Sequence, residues 1–368
     1  MLRNVQALRA VAALLVVFDH FNGELSYDAE TSTFFNAFRY IGNFGVDIFF
    51  AISGFIMLST TWTIFAQPGV SRSFLMRRIA RIYPPYWLVL APIVATYLLA
   101  SHSMMKSHAG HSDILSSILL LPQANTPLLI VSWTLVFEMF FYLVYAVIIA
   151  RSRRWFLPSL GIWFVLQLAM SALFVHSTNP YLGFFAQPLA IEFILGTIVG
   201  YLYVQGRMPF AASVGVLGTA IAAGVWVASR APGLVADLSK NDITRVLQFG
   251  IPAAMIVYGL VGIERRGNSV APGWSVHLGD ASYAMYLWHV PITIVFGAVA
   301  LRLRVHGYFE DTLVQFATLG AIVGISLVVY RYFEVPVTRF LNARYARREP
   351  TKIVSAAVGP ALAERGAS

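Results

Sequence analysis

Apolar residues in this chain come in runs of about 20, separated by stretches rich in polar residues, glycine and proline. A run of that length crosses the ~30 Å hydrocarbon core as a helix, and a helix satisfies its own backbone polar groups. Ten such segments can be drawn, at about 5–22, 40–65, 82–100, 128–150, 155–175, 184–204, 211–229, 246–263, 281–301 and 313–333. The first is short, and the fourth contains Glu138. The predicted fold class is all-α, a polytopic membrane protein with about ten transmembrane helices. No internal repeat, low-complexity tract or large soluble domain interrupts the pattern. Residues 341–368, with Pro350, Gly359, Pro360 and Gly366, read as a flexible polar tail.

Composition agrees. At 58% hydrophobic and 12% charged over 368 residues, a soluble protein would lack the polar surface to cover its core. The absence of cysteine excludes disulfides, thiolate metal sites and a Cys-bound acyl intermediate. The first apolar run has no small-residue cleavage site and carries charges within it, so it reads as a retained helix rather than a signal peptide.

The net charge of +9 is distributed as membrane topology distributes it, not as a nucleic-acid-binding face. With the N-terminus placed in the cytoplasm, 17 Lys and Arg fall on inside segments and 7 on outside loops. The inside group includes Arg72, Arg77, Arg78 and Arg81, then Arg151, Arg153 and Arg154. The outside group is Arg39, Lys106, Arg230, Lys240, Arg245, Arg302 and Arg304. Arg9 and Arg331 fall within helices. This bias predicts that both termini are cytoplasmic and that the number of spans is even.

Ionisable residues inside apolar runs cost roughly 2.5–3.5 kcal/mol each at mid-bilayer, so each calls for a reason. In the first run Arg9 and His20 are 11 residues apart, hence about 20° apart around the axis and roughly 16 Å along it. They form one polar stripe suited to a bundle interior. The plainer alternative is that each snorkels to its own interface. Asp19 points about 100° away from His20, where it could still orient a neighbouring group. Asp47 lies early in the second segment and Glu138 inside the fourth. Ser282, Tyr286 and His289 share one face of the ninth, with Tyr283 beside them. Each could simply bond across helices, and Gly45, Ser53 and Gly54 are small residues that permit close packing. Together the ionisable groups point to a buried polar cavity, fit for proton transfer, acid–base chemistry or substrate passage. Arg78 and Arg81, spaced i and i+3 in a basic cytoplasmic stretch before Pro84 and Pro85, suit an anion clamp for phosphates; the alternative is a topological anchor. His102, His108, His111 and Asp113 crowd one loop, but their spacing matches no strong ligand motif, and no metal site is expected. There is no P-loop or dinucleotide-binding glycine pattern.

Five blocks, in order, resemble the acyltransferase-3 family of integral-membrane acyltransferases, which modify bacterial surface sugars. They are LRAVAALLVVFDH (8–20), GVDIFFAISGFIM (45–57), RRIARIYPPYW (77–87), SWTLVFEMFFY (132–142) and SYAMYLWHVPI (282–292); YRYFEVP (330–336) resembles the family's closing Glu-x-Pro. The resemblance implies a transmembrane acyltransferase domain over residues 1–340. It implies transfer of an acyl group, commonly acetyl, from cytoplasmic acyl-CoA to a hydroxyl of an extracytoplasmic or lipid-linked glycan. The stand-alone exopolysaccharide acetyltransferases are the nearest subgroup. It implies a multi-pass protein of the bacterial inner membrane, with no permanently bound cofactor, and polysaccharide-assembly proteins as partners. Arg9, Arg78 and Arg81 are then expected on the donor, His20 as the catalytic group supported by Asp19 and Glu138, and Asp47, Ser282, Tyr283, Tyr286 and His289 around the cavity. His20 could act as a general base or carry the acyl group itself. A transporter or a structural membrane protein would also keep buried charges.

Overall fold

The computed structural model describes residues 2–24, 34–38, 41–99, 113–229, 243–305 and 307–346. Among these there is no strand, and ten helices are long and apolar enough to cross a membrane. The spanning helices are α1 (Arg3–Glu24), α2 (Gly42–Thr61), α3 (Val70–Leu99), α4 (Trp133–Ile149), α5 (Phe156–Phe174), α6 (Ala190–Val204), α7 (Ala211–Ala228), α8 (Ile251–Arg265), α9 (Ser282–Arg302) and α10 (Tyr308–Val329). A short helix, Pro180–Ala186, precedes α6. A π-turn, Val246–Gly250, leads into α8. A second, Tyr330–Glu334, joins α10 to a closing helix, Val335–Ala346. The expected tail boundary at 341 therefore falls inside a helix, and 347–368 lie outside the described residues. The histidine-rich stretch 102–111 also lies outside them.

The third span differs from the sequence reading. The basic stretch is not a loop ended by prolines; it is the first half of α3, which continues through Pro84, Pro85 and Pro92. Each interior proline removes a ladder hydrogen bond, and neighbours hold this part of the helix in place. The Tyr283 hydroxyl of α9 donates to the Ile82 carbonyl (2.8 Å), and the Trp87 indole donates to the Ile118 carbonyl (3.0 Å). The Tyr86 hydroxyl donates to the Ser117 carbonyl.

Close packing at the centre depends on small residues. A Cβ on Gly45 of α2 would stand 2.4 Å from the Ala12 carbonyl oxygen of α1. On Gly54 it would stand 2.1 Å from the Phe193 carbonyl oxygen of α6. Dispersion grows with such proximity, and it is the main attraction between helices in lipid. Helices α5 and α7 sit on the perimeter and turn residues such as Val165, Leu173 and Val216 outward, as hydrocarbon requires.

Contacts between helix termini define two ends of the bundle. At one, the Arg3 and Asn4 amides donate to the Glu264 carboxylate of α8 (2.6 and 2.8 Å), and Arg265 donates to the Tyr203 carbonyl of α6 (2.7 Å). Trp62 meets Tyr201 of α6, rings 5.6 Å apart, and the Ala66 amide donates to the Ile149 carbonyl at the end of α4 (2.9 Å). This is the basic end: the start of α3 and the Arg151–Arg154 stretch both lie here. The closing helix packs against α3, so it joins the same half. At the aromatic end Phe21 meets Phe35 (5.2 Å), Phe35 meets Phe316 of α10 (5.1 Å), and Phe38 stacks on Trp226 of α7 (6.5 Å).

Candidate active site

A cavity opens among α1, α2, α3, α4 and α9. Three guanidinium groups (Arg9, Arg78, Arg81) and one carboxylate (Glu138) line it. Arg9 is buried rather than snorkelling, and its Nη1 donates to Gln6 Oε1 (3.3 Å). The Gln6 amide in turn donates to Asp280. Arg78 lies over the rings of Phe74 (5.4 Å) and Tyr142 (5.5 Å), which fix its plane while its N–H edges stay available. Arg78 and Arg81 share a face because α3 is helical here, one turn before Tyr283 grips the Ile82 carbonyl. Among the described residues no carboxylate lies within ion-pair distance of Arg9, Arg78 or Arg81. Glu334, buried on the π-turn after α10, is close enough to act electrostatically on Arg81 and Arg9. The surplus of positive charge over a partly desolvated space is what a multiply charged phosphate ligand needs.

Glu138 is held from two sides. The Ser53 hydroxyl of α2 donates to its Oε1 (3.2 Å), and the Tyr142 hydroxyl one turn along α4 donates to the same oxygen. Ser53 thus does more than admit a neighbouring helix. Ser282, Tyr283 and Tyr286 of α9 line the cavity. The Tyr286 hydroxyl bonds with Thr134 (2.7 Å) and donates to the Val131 carbonyl (2.8 Å), which ties α9 to α4 across the inner end.

His20 and His289 do not line this cavity. They lie beyond Tyr286 towards the aromatic end, with rings 4.8 Å apart and edge-on; the Tyr286 ring is 5.8 Å from that of His289. His20 Nδ1 bonds to its own helix at the Val16 carbonyl (2.9 Å), and His289 Nδ1 bonds to the Tyr286 carbonyl (2.7 Å). A carbonyl accepts only, so both Nδ1 atoms carry hydrogen, and in a neutral ring the lone pair is then on Nε2. Hence Val16, not Asp19, fixes the His20 tautomer. Asp19 packs instead on the start of α2, where a Cβ on Gly42 would lie 2.6 Å from its Cγ. A carboxylate is favoured at a helix N-terminus.

Asp47 also departs from the expected placement. Its neighbour Val46 lines the cavity, but Asp47 Oδ1 accepts from Arg245 Nε at 2.9 Å, and both side chains are fully buried. Arg245 also donates to the Asn43 carbonyl (3.2 Å). The charge pattern assigns Arg245 to an outside loop; in the structure it is an interior residue that ties α2 to the segment leading into α8. Glu192 of α6, fully buried, interacts with both Asp47 and Arg245. The argument that singled out Glu138 applies equally to a glutamate within LAIEFILG, so Glu192 was readable. Ser53, Thr134 and Gln6 carried no such signal.

The comparisons agree with this architecture. A family model described as an acyltransferase domain matches residues 2–331. The exopolysaccharide production protein ExoZ of Rhizobium meliloti (strain 1021) is 32% identical over 311 residues, covering 83% of this chain and 92% of that protein. No solved structure matches. A match across the whole bundle, a relative of nearly the same extent and a multi-pass helical fold around one arginine-lined cavity lead to one conclusion: the chain belongs to the acyltransferase-3 family of membrane acyltransferases.

Proposed function

We propose that the protein is an O-acyltransferase of the bacterial inner membrane that moves an acetyl group from acyl-CoA to a hydroxyl of an exopolysaccharide or its lipid-linked precursor. The observation that carries this reading is the set of three arginines, none within ion-pair distance of a carboxylate among the described residues, around one cavity that Tyr286 lines with the histidine pair beside it. The basic end faces the cytoplasm, with both termini there. Acyl-CoA enters from this side; the guanidinium groups take its phosphates and the pantetheine arm runs inward. The relative's name supports the glycan acceptor.

The glycan hydroxyl approaches from the aromatic end. A hydroxyl is a poor nucleophile until its proton is removed, and the His20 Nε2 lone pair suits that task. As the proton moves to Nε2, the hydroxyl oxygen bonds to the thioester carbonyl carbon. The C–S bond then breaks, and the proton passes from Nε2 to the departing sulfur.

The test compares surface polysaccharide from a deletion strain and its parent by proton NMR, with purified protein assayed for acetyl transfer from labelled acetyl-CoA. One O-acetyl signal should vanish in the deletion and return with the wild-type gene. Unchanged O-acylation in the deletion would sink the proposal.

A further inference from the structure

Among the described residues Glu138 bonds to the Ser53 and Tyr142 hydroxyls and to no histidine, and both hydroxyls donate to Oε1. Each carboxylate oxygen offers about two acceptor sites, so Oε1 is filled. Oε2 accepts from no described residue. It is not sealed off either: it keeps accessible surface, and Glu138 lines the arginine-lined cavity. Two hydroxyls from two helices thus hold the carboxylate, and its second oxygen is left as a fixed acceptor for whatever enters.

The depth of Glu138 is set by α4. Tyr142, one turn towards the basic end, carries the Arg78 guanidinium over its ring at 5.5 Å. Thr134, one turn the other way, bonds with the Tyr286 hydroxyl (2.7 Å), and the Tyr286 ring lies beside His289. Each step along the helix is about 6 Å. Glu138 therefore stands midway between a guanidinium suited to phosphate and the phenol next to the histidine pair. A carboxylate repels phosphate and accepts from N–H groups. The ligand portion that fits here is an uncharged donor trailing behind an anionic head.

Acyl-CoA has two such donors, the amides of its pantetheine arm. The nitrogen of the nearer one is four bonds from the thioester carbonyl carbon, about 5 Å when extended. The second amide lies about 5 Å further back. With the nearer amide at Glu138, the carbonyl carbon reaches the level of Thr134 and Tyr286. A sugar hydroxyl about 3 Å away then has room between that carbon and His20. With the further amide there, the carbon would travel about 10 Å, into the histidine pair itself, and leave no space for the acceptor.

We infer that Glu138 is a positioning residue for the donor: its Oε2 accepts the amide N–H next to the thioester and so sets how far the acyl group enters. This rests on the proposal that acyl-CoA is the donor.

The test uses the purified full-length protein with acetyl-CoA and with an acetyl-CoA analogue in which that one N–H is replaced by CH2. Wild type should favour the amide donor roughly 10–100-fold in kcat/KM, the size of one hydrogen bond to a charged group. Glu138→Gln keeps a carbonyl oxygen for Ser53 and Tyr142, so the local packing survives. It turns the cavity-facing atom from an acceptor into an NH2 donor, which opposes the amide N–H. The preference for the amide donor should fall to near unity. Equilibrium dialysis of the two donors gives the same ratio for a variant too slow to assay. A structural or acid–base role for Glu138 lowers the rate with both donors alike; a ratio in Glu138→Gln equal to that of wild type would therefore overturn the inference. So would equal use of the two donors by wild type. A wild type that neither binds nor uses acetyl-CoA would overturn the donor itself, and the inference with it.

Discussion

Arg78 shows how one side chain is prepared before any ligand arrives. Its guanidinium rests against the mutually perpendicular rings of Phe74 and Tyr142, so less rotamer entropy is left to lose when an anion binds. Arg78→Ala or Arg81→Ala should raise the KM for acyl-CoA by about 10–100-fold, the equivalent of one to two charge-assisted hydrogen bonds. Arg78→Lys should recover only part of this, since an ammonium lacks the planar fork that grips two phosphate oxygens at once. Steady-state kinetics with acyl-CoA as the varied substrate measure both; an unchanged KM would reduce these residues to topological anchors. His20→Ala should lower kcat by roughly 10²–10⁴, the usual contribution of a general base, while acyl-CoA binding by equilibrium dialysis stays intact. Full activity would remove His20 from the mechanism. Both residues were legible because an ionisable group in an apolar run demands an explanation. The same logic misplaced Arg245: it sits at the border of an apolar run, where a sequence cannot distinguish a solvated loop charge from one folded inward to meet Asp47.

Among the elements, α2 is the one on which the others depend. One face carries Ser53 to Glu138, another carries Asp47 to Arg245, and glycines on it bring α1 and α6 to backbone contact. Gly54→Val would push a branched side chain into the Phe193 carbonyl, which is backbone and cannot swing aside. The expected loss is at least the ~1–3 kcal/mol of ordinary overpacking, seen as a lowered midpoint of thermal aggregation in detergent. Gly161 of α5, with open space around it, should accept alanine with no such loss. The existence of all ten spans could be read from hydrophobic run length alone. The continuity of α3 could not. Two prolines argue locally for a break, and the bonds that hold the helix together come from Tyr283 and the 117–118 carbonyls, remote in sequence. The histidine pair was likewise only half visible: the periodicity put His20 and His289 on inward faces, but their meeting beyond Tyr286 depends on how α1 and α9 cross.

On the scale of the whole molecule, charge sorts the two ends. Arg3, Arg72, Arg151 and Arg265 come from four separate parts of the sequence, and the contacts between helix termini gather them at one end. Reporter fusions at residue 345 and within 102–113 should therefore report opposite sides, with 345 in the cytoplasm. Both on one side would overturn the proposed orientation. Run length and charge bias make that topology readable without any structure. The shape of the space inside is not readable, because it depends on side chains such as Thr134 and Ser53 that resemble any other small polar residue of a helix.

The clasp on Tyr286 has a consequence for the energy of the cell. A bacterial membrane stores work as a proton gradient, and any unbroken column of water through a protein would short-circuit it. A phenol held by Thr134 and the Val131 carbonyl lines the arginine-lined cavity next to the histidine pair. In the reaction proposed here, donor and acceptor need never share a compartment. The acyl group would change sides by exchanging one bond for another beside this phenol, a step that needs no open column of water.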